Sequence, residues 1–189
     1  MPLTDLLHLG LEANGDGKAE NEIEYTVYGR IESFSILEKY EYEDHVQAEF
    51  PVRAEGLRMR IRSVNNEDFL LCVKKARDEG KGNVEAELEI TKDMFTLLLS
   101  GVDTAVYKRR YFVPHDKSGL MYEIDVFTKS DGQRSPWVKV DLEVPDDDDV
   151  NIPHTPFSLN DVIDLAPDEY TQEQRETVDR LWDTEWAVK

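Results

Sequence analysis

Polar and apolar residues alternate with a period of two along most of the chain between residues 20 and 144. In the stretch ENEIEYTVYG, Glu22, Glu24 and Thr26 fall on one face of an extended segment, and Ile23, Tyr25 and Val27 on the other. The alternation recurs in 21–30, 57–63, 68–75, 84–90, 106–113, 120–127 and 136–144, and more weakly in 46–53. Hairpin-type punctuation separates these runs: NNED, DEGKGN, DKSG and SDGQ.

One helix interrupts the series. Thr91 can cap KDMFTLLLSG, where Met94, Phe95, Leu97 and Leu98 form an apolar stripe and Gly101 a stop. A short helix is expected over LTDLLHLGLE. A final one is expected over PDEYTQEQRETVDRLWDTEW, with Tyr170, Val178, Leu181, Trp182 and Trp186 spaced to pack. An acidic, proline-punctuated connection over 145–167 leads into it. About eight strands with helices to cover them predict an α+β domain whose mainly antiparallel sheet forms a barrel or sandwich. No internal repeat interrupts this plan, so a single domain over 1–189 is expected, with residues 145–189 as its acidic connection and closing helix.

Composition narrows the setting. At 189 residues, 40% hydrophobic and 33% charged, the chain has the makeup of a soluble globular protein. No run approaches the roughly 20 apolar residues of a membrane helix, and the N-terminus lacks the basic start and small-residue cleavage site of a secretory signal. A lone cysteine, Cys72, excludes an internal disulfide, suits a reducing cytoplasm and reads as a small buried residue. A net charge of −19 disfavours duplex nucleic acid, and would repel a free polyphosphate unless basic groups or a divalent cation reverse the sign locally.

Several other features are set aside. Glu12, Asn14, Asp16 and Gly17 loosely follow a calcium-binding loop, but Ile23 stands where a bidentate glutamate is required. His8, His45, His115 and His154 form no zinc-binding pattern, and no G-x-x-x-x-G-K-[ST] phosphate loop occurs. The acidic run 146–149 reads as a solvated loop. Trp182 and Trp186 read as packing residues, although an exposed pair would mark a self-association surface and hence a homodimer.

Parity then sorts the charges. Arg58, Arg60 and Arg62 share a face, as do Lys108 and Arg110, and Lys74 lies on the face of Cys72 and Leu70. Glu85, Glu87 and Glu89 share another, as do Glu123 with Asp125, and Lys139 with Asp141 and Glu143. An antiparallel sheet with one wet face also alternates in this way. Here, however, acidic and basic groups are segregated by strand, and like charges at neighbouring exposed sites repel. If the apolar faces are covered by helices, the charged faces line an interior. Such a lumen is too costly to be filler, and its natural occupant is a polyanion with a divalent cation: arginine forks and lysines for phosphoryl oxygens, carboxylates for Mg2+ or Mn2+.

In this order the motifs resemble the CYTH superfamily, the triphosphate tunnel metalloenzymes. They are Glu22-Ile23-Glu24, Arg58-Met59-Arg60, Cys72-Val73-Lys74, Glu85-Ala86-Glu87, Lys108-Arg109-Arg110, Glu123-Ile124-Asp125-Val126-Phe127 and Asp141-Leu142-Glu143. Each is weak alone. Together they cover residues 20–144.

The resemblance implies an eight-stranded antiparallel β-barrel, a tunnel with flanking helices, that takes a triphosphate-containing small molecule. By analogy Glu22, Glu24 and Glu143 hold Mg2+ or Mn2+, and Arg58, Arg60, Lys74, Lys108 and Arg110 grip the phosphates. Glu85, Glu87, Glu123, Asp125 and Asp141 hold a second metal, order water or orient the cations. The implied function is metal-dependent hydrolysis of an inorganic, nucleoside or organic triphosphate. Non-catalytic binding and an adenylate cyclase-type reaction are the alternatives.

The sequence departs from the family pattern at two places. The family's opening motif ends in lysine, where this chain has Thr26, and Asp141 stands where glutamate is usual. Arg30 shares the face of Thr26 but lies about 13 Å along the strand, and Lys18 in the preceding loop is a looser candidate.

Overall fold

The computed structural model describes residues 20–52, 56–76, 83–115, 118–144, 155–165 and 185–188. Within them one sheet carries ten antiparallel-paired strands: β1 (Glu20–Arg30), β2 (Tyr42–Phe50), β3 (Leu57–Val64), β4 (Asp68–Ala76), β5 (Asn83–Glu89), β6 (Thr104–Pro114), β7 (Met121–Thr128), β8 (Arg134–Val144), β9 (Asn160–Leu165) and β10 (Glu185–Ala187). Apart from β2, expected over 46–53 but ending at Phe50, the first eight fall where the alternation places them. β2 starts earlier than expected, at Tyr42, because its partner β6 continues to Tyr111 opposite that residue.

Hydrogen-bonded neighbours follow the order β10-β6-β2-β3-β4-β5-β1-β8-β7, and β6 pairs with β7 as well. The pairings of the first eight strands therefore return on themselves around a tunnel. It is a tunnel-like fold and not the regularly closed barrel expected: β1 meets β5 only through Glu20–Glu85, Asn21–Val84 and Glu22–Asn83. Beyond that seam, β9 takes over the same edge of β1, from Thr26 to Arg30. In a matching way, β10 pairs with Thr104–Val106 of β6, just before the residues that β7 occupies.

Leu159 passes so close to Gly29 that a Cβ there would stand 2.7 Å from the Leu159 Cβ, which accounts for glycine at that position. The expected helix over 3–12, and residues 167–184 of the one expected over 167–186, lie outside the described residues. Trp186, assigned to the second of them, instead lies in β10.

The apolar faces turn outward and are covered. Val27, Ile124, Val126, Val138, Val140 and Leu142 are buried under Leu37, with Phe34, Tyr40, Phe157 and Leu159 packed against them. Phe34 and Leu37 come from a short 3-10 turn whose start is capped by Ser33. On the other side, α1 (Lys92–Leu99) covers Ala48, Ile61, Phe69 and Ala105 with Phe95, Leu98 and Leu99. The Thr91 hydroxyl accepts from the Met94 amide, so the predicted cap forms. The helix stripe is narrower than expected: Met94 and Leu97 are 47% and 68% exposed, since an eight-residue helix on a curved sheet buries one side only.

Candidate functional site

With both apolar faces covered from outside, the charged faces meet within the tunnel. The strand order segregates them into two arcs. β7, β8, β1 and β5 are consecutive neighbours and carry the carboxylates; β4, β3, β2 and β6 complete the ring, with the cations on β4, β3 and β6.

Ion pairs connect the arcs. Arg60 reaches Glu85 at 2.9 Å, and Lys74 bridges Glu85 at 3.1 Å and Glu24 at 3.0 Å. Lys139 continues from Glu24 at 3.3 Å to Asp141 at 2.5 Å. Arg110 lies 4.0 Å from Asp141, binds Asp125 through two nitrogens at 2.8 and 3.0 Å, and also pairs with Glu123. Lys108 completes the series with a 2.5 Å bond to Asp125. Farther along β3 and β5, Arg62 pairs with Glu87 at 2.6 Å, and that carboxylate also accepts the Cys72 thiol.

The structure thus brings together Glu24, Arg60, Lys74, Glu85, Lys108, Arg110, Glu123, Asp125 and Asp141 in one network. Glu87 belongs to the separate Arg62 pair. Glu143 is exposed, in cross-strand register with Glu24. Glu22 lies next to Asn83 in register; its side chain is outside the described set.

Arg58 makes no ion pair among the described residues. With Arg60, Lys74, Cys72 and Glu49 it lines a small cleft. Among the described residues, the buried Nε atoms of Arg60 and Arg62 find no hydrogen-bond partner. Unused donors of this kind are costly unless an acceptor arrives.

Burial sets the protonation pattern. It would lift the Glu24 carboxyl, but Lys139 and Lys74 hold that group well below the usual carboxylate range. Asp141, fully buried and facing the Glu24 charge, is pushed up to about 7 in spite of Lys139. As pH falls, Asp141 therefore takes a proton before Glu24. Asp125 is likewise buried, yet Arg110 and Lys108 keep it well below its ordinary value. Lys108 is lowered to about 7 by burial and then by the Arg110 charge, against the pull of Asp125. Burial, then the bond to Glu87, pushes the Cys72 thiol up to about 11, so this cysteine is inert at neutral pH.

Lys139 and Arg62 fall outside the set selected by the motifs, although each shares parity with residues inside it. The departure at position 26 also gains a structural account. The Thr26 hydroxyl donates to Asp141 Oδ1 at 2.8 Å, and Lys139 stands on the other oxygen of that carboxylate. Arg30 is not a substitute, since it is exposed and pairs with Asp161 on β9 at 3.3 Å. Lys18 lies outside the described residues.

Mg2+ and Mn2+ prefer carboxylate oxygens, and the acidic arc supplies them: Glu24 faces Glu143 across the β1–β8 pair, with Glu22 one repeat along β1. That donor chemistry fits a hard divalent cation. Among the described residues, however, no three potential ligands already converge on one point.

Two solved structures of one protein, NE1496, share this fold. One describes it as a hypothetical protein; it is 20% identical, with TM-score 0.50, covering 79% of this chain and 93% of that one. The other describes it as an inorganic triphosphatase, again at 20% identity and TM-score 0.50, covering 82% and 93%. The tunnel-like architecture implied by the sequence resemblance is thus the architecture of these structures. No protein-family model matches the chain, and no curated protein matches it.

Proposed function

We propose that the protein hydrolyses a small triphosphate, inorganic or carried by an organic group, inside the charged tunnel. The observation that carries this reading lies on β3, where, among the described residues, Arg58 makes no ion pair and the buried Nε atoms of Arg60 and Arg62 have no hydrogen-bond partner. Guanidinium groups spaced along one strand suit consecutive phosphoryl oxygens. The shared fold with a protein described as an inorganic triphosphatase agrees with it.

Arg58, Arg60 and Lys74 bind the phosphates from the cleft, and Lys108 and Arg110 extend the cationic wall. Glu24 and Glu143, with Glu22, are the residues that would hold Mg2+ or Mn2+. Such an ion supplies charge neutralisation at the phosphoryl oxygens. Water attacks the terminal phosphorus in line; as the new P–O bond forms, the bridging P–O bond breaks and the diphosphate departs as the leaving group. The proton of the water passes to solvent, and orthophosphate is released. The cationic wall stabilises the charge spread over the terminal oxygens.

The direct test is phosphate release from tripolyphosphate and a nucleoside triphosphate panel, with Mg2+, Mn2+ or EDTA, for wild type and Glu24→Gln. Metal-dependent release that falls at least about a hundredfold in Glu24→Gln supports the reading. Full activity of Glu24→Gln removes the site assignment.

A second reading, binding without turnover, is favoured by the ammonium groups already bonded to Glu24 and Asp141. Tripolyphosphate that raises the melting temperature with no product would establish it. A cyclised nucleotide product would instead identify the cyclase-type reaction.

A further inference from the structure

Lys139 occupies an unusual place. It projects from β8 within the carboxylate arc, and its ammonium sits 3.3 Å from Glu24 Oε1 and 2.5 Å from Asp141 Oδ2. The remaining oxygens of both carboxylates are also engaged: Lys74 bonds Glu24 Oε2 at 3.0 Å, and the Thr26 hydroxyl bonds Asp141 Oδ1 at 2.8 Å. Glu85 is likewise held between Lys74 and Arg60. A divalent ion bound at Glu24 would place its charge beside the ammonium groups of Lys139 and Lys74 in a poorly solvated site, where like charges are least screened.

We propose that Lys139 is a built-in counter-ion that competes with a divalent metal for Glu24, so that the empty tunnel binds metal weakly and metal enters together with the polyanion. This rests on the reading of the tunnel as a site for a metal and a triphosphate. The lysine is suited to the exchange. Its side chain is 23% exposed, on a flexible four-carbon stem, whereas Asp141 beneath it is 1% exposed. Leaving Glu24 does not require Lys139 to leave Asp141, since the two carboxylates lie on neighbouring strands at staggered register positions, with Glu24 opposite Glu143 and Thr26 opposite Asp141. The negative charge of a triphosphate offsets the charge of the incoming metal, and the displaced ammonium becomes a donor to a phosphoryl oxygen. Glu24 thus acts as a ligand exchanged between an internal cation and an external one.

The test is Mn2+ binding, followed by calorimetry and by the electron paramagnetic resonance signal of free Mn2+, without and with tripolyphosphate. Wild type, Lys139→Met and Lys139→Arg are compared. Without tripolyphosphate, Lys139→Met should bind Mn2+ at least tenfold more tightly than wild type, and Lys139→Arg should stay near wild type. With tripolyphosphate the gap between wild type and Lys139→Met should narrow. Equal or weaker Mn2+ binding by Lys139→Met, with wild type still binding Mn2+ and tripolyphosphate, overturns the inference and leaves the functional reading standing. If no variant binds Mn2+ under either condition, the metal part of that reading fails and the inference with it. Should Lys139→Met not fold, the same comparison is made between Asp141→Asn and Lys139→Met/Asp141→Asn, in which the lost ammonium no longer faces a buried charge. The double variant must then bind Mn2+ more tightly than the single one, or the inference is overturned.

Discussion

Asp125 on β7 receives two nitrogens of Arg110 from the neighbouring strand, at 2.8 and 3.0 Å, while Lys108 donates to it from the same side at 2.5 Å. The carboxylate has no exposed surface and the Arg110 side chain is 11% exposed. Removing one member leaves a buried charge without its partner. Asp125→Asn should therefore destabilise the fold by about 3–5 kcal/mol, measured by urea denaturation at neutral pH. A change near zero would show that water reaches this part of the tunnel.

Arg58 should behave in the opposite way. Because it makes no ion pair among the described residues, its loss should leave stability nearly unchanged. Arg58→Ala is expected to weaken tripolyphosphate binding about tenfold, the effect of one charge-assisted contact, with an unaltered melting temperature. Arg60→Ala frees Glu85 from one of its two cations and should lower both affinity and melting temperature. Calorimetric titration and thermal melts on the two variants separate these outcomes.

His45 gives the fold a defined acid sensitivity. It is buried on β2, and its pKa is lowered to about 3 by burial and then by the charges of Lys108, Arg110 and Arg62. Asp125 pulls the other way, and Glu43 bonds the ring at 3.0 Å. The unfolded chain takes up a proton near pH 6.5, whereas the folded one does not until about pH 3. The stabilisation is therefore complete above the unfolded pKa and is lost as pH falls towards the folded one. Within that window His45 contributes a slope of about 1.4 kcal/mol per pH unit. Urea midpoints measured from pH 7 to pH 4 should fall less steeply in His45→Gln than in wild type.

Gly29→Ala probes the contact between β1 and the segment entering β9. The added methyl would stand 2.7 Å from the Leu159 Cβ and 2.9 Å from its Cδ1. Overpacking of this kind costs about 1–3 kcal/mol, and chemical denaturation should show it. Leu159→Ala placed in the same chain should recover part of the loss.

The strands were legible because each has one apolar and one charged face, so a period of two survives in the sequence. Parity also found the tunnel-facing residues, including Glu24, Arg60, Lys74 and Asp125. It could not say which cation meets which carboxylate, because that depends on strand order: Lys74 reaches Glu24 across a separation of 50 residues. Lys139 shares parity with Asp141 and Glu143, but its position between Glu24 and Asp141 follows from the β1–β8 register. Strands β9 and β10 left a weaker trace. NDVIDL is short and sets only Val162 and Ile163 between Asp161 and Asp164, and β10 has three residues at the end of a pattern that reads as helical.

The short hold of β5 on β1 bears on how the chain behaves outside its own fold. Past Glu22, one whole edge of β1 would present bare amide and carbonyl groups if β9 were not bonded to it from Thr26 to Arg30. An unpaired strand edge is a template for another molecule's strand. The segment after β8 thus works as a guard against self-templating: a chain cut after Val144 should collect into β-rich aggregates even where its tunnel network is intact.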